Sequence, residues 1–256
     1  MYRFVDMHCH LDRIAHATQV AAALQEQDIA VFCTPVTPEE SLCAQHQFEH
    51  ELHIRVGVGM HPWWIEAGKK GENLARIAGQ LAATSPFVGE IGLDAGPAHL
   101  ASYDTQLSAF CSICEAMHAH PLSHRVLSIH AVKAAHLVLD TLEHYGLLSH
   151  AGLAPIFHWF SGTSDDLVRI RRAGAYISVN KRMLVTKRGR EYARVMPLSQ
   201  LLLETDAPPQ LDKAYAAKDI QADLETALDM LTDLRQEPRA RIERQTSETG
   251  IMLLQL

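Results

Sequence analysis

Cysteine is scarce: 256 residues hold five, an odd number (Cys9, Cys33, Cys43, Cys111 and Cys114). So few thiols make no disulfide framework, and a reducing cytoplasm is the expected setting. No uncharged apolar run reaches membrane-spanning length, and no basic stretch followed by an apolar one opens the sequence, so the expectation is a soluble protein with no membrane partner. An excess of basic charge is missing too. The formal net charge of −7 excludes a surface coated in cations, though not a local basic patch. No GxGxxG turn follows the first apolar segment, which removes the usual mark of an open dinucleotide-binding sheet. Low-complexity linkers are absent as well. Residues 1–256 therefore read as a single domain, and 47% hydrophobic residues supply ample core.

Histidine is plentiful, sixteen in all, and its positions matter more than its number. Eight short segments are rich in apolar or β-branched residues: FVDMHCH (4–10), AVFCTPV (30–36), IRVGVGMH (54–61), FVGEIGLD (87–94), RVLSIHA (125–131), APIFHWF (154–160), AYISVN (175–180) and LLLETDAP (201–208). Stretches of helical periodicity lie between them, such as IAHATQVAAALQEQ, ENLARIAGQLAA, AVKAAHLVLDTLEHYG and SDDLVRIRRAG. Eight alternating units of this kind predict an α/β fold, a (β/α)8 TIM barrel. The tail from about 213, mixed in charge with apolar spacing, reads as helix closing the barrel from outside.

Polar residues recur where these strands end, the functional face of such a barrel. His8 and His10, two apart, share a face of the first strand, with Cys9 opposite. Glu90 lies in the fourth strand, and His130, His158 and Asp206 end the fifth, sixth and eighth. Four imidazoles and two carboxylates without thiolates are too many for one structural zinc. They fit a binuclear divalent site in which one carboxylate bridges two ions. The donors suit Zn, Mn, Co or Ni better than oxygen-loving Mg. Any one of the six could be structural; six buried together without a metal would be costly.

In order along the chain, VDMHCHLD, GMHP, GEIGLD, the His130 strand, HWFSG and LLLETDAP resemble the signatures of the TatD family of metal-dependent hydrolases, within the amidohydrolase superfamily. The resemblance covers essentially the whole chain. It implies a deoxyribonuclease with two divalent ions (Zn, Mg or Mn). His8, His10, Glu90 and Asp206 would hold one ion, and Glu90 would bridge to His130 and His158 around the other. Asp206 would orient or deprotonate the attacking water, His61 would meet a substrate phosphate oxygen, and Glu204 would support the ligands. The family's tyrosines after GEIGLD are replaced by AGPAHL. HAVKA stands for HxRxA, with Val132 in place of arginine and Lys133 beside it, and PQLDKAYAAK stands for the Arg-Asn-Glu-Pro stretch. These departures spare the metal set and bear on the substrate. The segment from YISVN to LLLETDAP, with HWFSG before it, is similar to the divergent TatD-like nuclease subunit of the Qat type found in bacterial anti-phage operons, which implies protein partners.

Residues 181–194, KRMLVTKRGREYAR, carry six basic side chains and one acid. With Lys181 and Arg182 at their head, they suit a polyanion such as nucleic acid. Trp63 and Trp159 follow strand ends near ligands and could stack on bases. Trp64 is as well suited to packing on the rim. Two other readings remain: a small-substrate deacylase or lactonase, and a non-catalytic or partner-gated subunit of a defence complex. The absence of lysine at the Glu90 position disfavours relatives that bridge metals with a carbamylated lysine. Cys111 and Cys114 read as buried helix residues rather than a zinc or redox pair. Asp6 and Asp12 are expected to orient loops. The histidines outside the strand ends, His53 among them, are expected at the surface.

Overall fold

The computed structural model describes residues 2–66, 68–148, 150–210 and 214–256. The strands are β1 (Phe4–Cys9), β2 (Ile29–Cys33), β3 (Ile54–Val56), β4 (Val58–Met60), β5 (Phe87–Asp94), β6 (Arg125–Val132), β7 (Leu153–His158), β8 (Tyr176–Val179) and β9 (Leu201–Leu203). The α-helices are α1 (Ala17–Glu26), α2 (Pro38–Gln47), α3 (Lys69–Thr84), α4 (Tyr103–Ala119), α5 (Ala135–His144), α6 (Ser164–Arg172), α7 (Lys181–Leu184), α8 (Lys187–Val195), α9 (Ala217–Arg235) and α10 (Arg239–Leu254). Every strand pair is parallel, in the orders β1-β2-β3 and β4 through β9.

Two junctions turn these sheets into a (β/α)8 barrel. At the first, β3 and β4 occupy one strand position interrupted at Gly57, whose N–H still donates to Cys33 O at 2.9 Å. A Cβ on Gly57 would sit 2.5 Å from Gly89 O, so only glycine allows so close an approach. At the second, His10 N donates to Ala207 O at 2.7 Å and Asp206 N donates to His8 O at 2.8 Å, lacing β1 to the segment after β9. The interior is packed. Val5, Met7, Phe32, Val126, Ile156 and Leu202 form a buried cluster with Leu254 of α10, residues that only a barrel interior brings together. The strands are buried along nearly their whole length, as parallel strands sheathed by helices must be.

Several boundaries differ from the sequence expectation. The expected strand 54–61 is split at Gly57. The second strand stops at Cys33, ahead of Pro35, which has no N–H for a ladder. The sixth position, β7, ends at His158, with Trp159 in the left-handed region at φ 38°, and the last strand is only three residues, because the chain leaves the ladder at Glu204 and Asp206 adopts φ 53°. His10 lies one residue beyond β1. The tail forms two helices, broken where Gln236 turns left-handed ahead of Pro238; Lys213, where the expected helix begins, lies outside the described residues. His53 is fully buried, its Nε2 donating to Ala21 O at 3.0 Å, where a surface position was expected. The cysteines are free, with Cys114 buried in α4 and Cys111 partly exposed. Among the described residues no helix is long and apolar enough to cross a membrane.

Candidate metal centre

Backbone and hydroxyl partners fix how the first two histidines present themselves. His10 Nδ1 lies 2.7 Å from the Thr34 carbonyl, which can only accept, so Nδ1 carries the proton and Nε2 offers its lone pair. His8 Nδ1 meets Ser128 Oγ at 2.6 Å, which turns Nε2 toward the carboxylates. The two Nε2 atoms lie 3.2 and 3.4 Å from Glu90 Oε2 and 3.8 and 3.4 Å from Asp206 Oδ1. Ligands around a tetrahedral ion at about 2.1 Å stand about 3.4 Å from one another, so the spacing suits a divalent cation. His8 Nε2 and Glu90 Oε2 are moreover buried without hydrogen-bond partners, and a metal is the partner such atoms lack.

Glu90 turns its other oxygen to a second group. Its Oε1 lies 2.8 Å from both His130 Nδ1 and His158 Nε2, which are 3.3 Å apart. His130 Nε2 donates to Asp94 Oδ2 at 3.1 Å, leaving Nδ1 free to face Glu90. Asp94 is fixed in turn by Trp63 Nε1 at 2.6 Å and Gly96 N at 2.7 Å. Behind His158, Glu204 accepts from Ser178 Oγ, from Asn180 Nδ2 at 2.7 Å and from Trp159 N at 3.1 Å, and lies 3.9 Å from His158 Nδ1. Glu204 could also join His8 and His158 in holding an ion, although Ser178, Asn180 and Trp159 N already occupy its oxygens. Asp94 escaped the sequence reading, although it closes the same strand four residues after Glu90.

His61 also approaches Glu90, at 3.2 Å through Nε2, and with His130 it could be counted as a third metal group. Its tautomer argues otherwise. Nδ1 accepts from Trp63 N at 3.1 Å, so the proton sits on Nε2, which can donate a hydrogen bond but not a lone pair. Burial pushes the ring down to about 4, against the pull of Glu90, so it is neutral at pH 7. Burial would raise the Glu90 carboxyl, yet His61, His158 and His8 outweigh it and hold it well below the ordinary carboxylate value. Asp206, opposed by burial in the same way, is held at about 2 by His10, His8 and His158.

A cavity of about 550 Å³ opens above these groups, walled by His61, Trp63, Trp64, Trp159 and Arg182 among others. Trp63 is half exposed and stacks on His99, with ring centres 4.8 Å apart. Arg182 covers one face of Trp159 at 4.3 Å and pairs with Asp206 Oδ2 at 2.8 Å. Lys181 departs from expectation: it pairs with Asp223 of α9, to which Tyr215 also donates, and so is turned away from the cavity. Arg13, which the sequence reading passed over, lines the wall against Trp64. Asp12 accepts from Cys33 Sγ at 3.4 Å. Asp6 is buried beneath the site, taking Thr205 N at 2.9 Å and the Thr205 hydroxyl at 2.5 Å, and burial raises it to about 7 against those bonds.

A parallel barrel whose strand ends converge paired histidines and carboxylates on one cavity defines a class, the metal-dependent hydrolases. Within it the chain belongs to the TatD related DNase family, a family of hydrolases of ester bonds, whose profile matches residues 5–255. The deoxyribonuclease Tat-D of Schizosaccharomyces pombe is 32% identical over 136 residues, 53% of this chain but only 41% of that protein. The uncharacterized metal-dependent hydrolase YjjV of Escherichia coli is 26% identical over 220 residues, 80% of each chain, and its crystal structure superposes with a TM-score of 0.80 over 99% of this chain and 98% of its own, at 21% identity. The TatD family hydrolase of Entamoeba histolytica superposes with a TM-score of 0.76 at 15% identity, covering 98% of each. These superpositions share the barrel described above.

Proposed function

We propose that the protein, acting as one domain, is a deoxyribonuclease that hydrolyses phosphodiesters at DNA ends with two divalent ions, Zn, Mg or Mn. The observation that carries this reading is the division of Glu90, one oxygen toward His8 and His10 and the other toward His130 and His158. His8, His10, Glu90 and Asp206 would hold one ion, and Glu90, His130 and His158 the other. Such ions, when bound, polarise a phosphate oxygen and lower the pKa of water. Asp206, ionised and braced by Arg182, takes the proton of the attacking water. Neutral His61 donates from Nε2 to a phosphate oxygen. Trp63, with Trp159 and Arg182 across the cavity, receives the base and strand next to the cut. The Tat-D relative is named a deoxyribonuclease, which favours DNA over a small neutral ester. A cytoplasmic setting, a place in an anti-phage system and protein partners rest on composition and on the likeness of the segment ending in LLLETDAP alone.

The test is cleavage of end-labelled single-stranded and duplex DNA after chelation and reloading with Mg, Mn or Zn, beside Glu90→Ala. A metal-dependent ladder from one end, abolished in the variant, is expected. Protein that holds two ions yet cuts no DNA, while hydrolysing a small acyl ester or lactone, would overturn the reading in favour of a small-substrate hydrolase.

A further inference from the structure

Two arginines of the cavity wall stand on tryptophans. The Arg13 guanidinium lies 4.5 Å from the centre of the Trp64 ring, and that of Arg182 lies 4.3 Å from Trp159. Each is anchored through one nitrogen. Arg13 Nη2 donates to Glu40 Oε1 at 2.7 Å, while Arg182 Nη2 donates to Asp206 Oδ2 at 2.8 Å and to the Thr205 and Asp206 carbonyls. Arg13 Nε is buried with no hydrogen-bond partner. Arg13 follows β1 and Arg182 follows β8, so the pair flanks the loop after β9 that carries Asp206. A guanidinium held over a ring and anchored through one nitrogen has lost freedom beforehand, and its remaining N–H donors match the oxygens of a phosphate.

We propose that Arg13 and Arg182 form a two-armed clamp on the phosphate next to the one being cut, so that the site selects a strand of consecutive phosphodiesters over a lone one. The clamp rests on the phosphodiesterase reading for its place beside the scissile bond.

The experiment uses metal-loaded wild type, Arg13→Gln and Arg13→Lys. Hydrolysis of bis(p-nitrophenyl) phosphate, a lone diester, is compared with that of tetrathymidylate. Tryptophan fluorescence is titrated with phosphorothioate tetrathymidylate, which reads binding without turnover. Arg13→Gln is expected to lower the kcat/KM preference for the tetranucleotide by about tenfold and to weaken phosphorothioate binding about as much. Arg13→Lys, which keeps charge but loses the forked donors of the guanidinium, falls between and carries the test if the glutamine variant does not fold. Binding as tight in the variants as in wild type overturns the clamp even where DNA is cut. Arg13-dependent binding without hydrolysis of any phosphodiester overturns the nuclease reading and leaves the clamp standing. Wild type that binds the tetranucleotide no better than thymidine 5′-phosphate also overturns the clamp.

Discussion

Asp6 lies under the donor cluster with both oxygens on Thr205, and burial favours its protonated form. A carboxyl whose folded value is raised contributes stability fully present below its unfolded value of 3.8 and lost as pH rises through about 7. Asp6→Asn keeps the shape and the neutral state. Its melting temperature relative to wild type should therefore climb between pH 5 and pH 8, by the equivalent of about 3 kcal/mol. Parallel melting curves at the two pH values would contradict this. Glu204 makes a second case: Glu204→Gln, which leaves Ser178, Asn180 and Trp159 N one acceptor oxygen fewer, should lower metal affinity by roughly 10- to 100-fold by calorimetric titration. The donors themselves were legible in the sequence because few residue types bind metal and the motifs recur at strand ends. Asp94, Arg13 and the setting of Asp6 were not. Their partners Trp63, Glu40 and Thr205 lie 31, 27 and 199 residues away, beyond the reach of local pattern.

Arg125 shows how one side chain joins elements. At the start of β6 and buried, it donates from Nε, Nη1 and Nη2 to the carbonyls of Ser85, Met117, Ala82, Ala83 and His120, at the C-terminal ends of α3 and α4. A cation suits the negative ends of two helix dipoles. Arg125→Met strands those carbonyls and should cost about 2–4 kcal/mol, read as a lower denaturant midpoint. Gly92 tests the joint between β5 and β6: it has φ +140°, and an added Cβ would lie 2.0 Å from His130 O. Gly92→Ala should displace His130 and reduce bound metal, even in protein that still folds. The alternation of strands and helices was readable, whereas strand ends were overrun. Motifs such as LLLETDAP continue past the ladder, because the residues that do the chemistry sit where the chain has already left it.

Across the whole molecule a net charge of −7 coexists with a cationic helix. Lys187, Arg188 and Arg190 of α8 are exposed, and Arg188 reaches Ser161 O on the cavity wall at 3.4 Å. Removing Lys187 and Arg190 together by glutamine should weaken single-stranded DNA binding at low salt and flatten the slope of log affinity against log salt by roughly 1 to 1.5. An unchanged slope would separate α8 from the nucleic acid. Barrel closure was legible only as a count of eight segments, since its seam depends on bonds between residues about two hundred positions apart. That seam has a bearing on synthesis. Among the donors His8 is the first to leave the ribosome and Asp206 the last. A nascent chain therefore cannot assemble the full donor set until the last strand has been made and laid against the first, and any hydrolysis that needs the full set is withheld from the cell until the fold is complete.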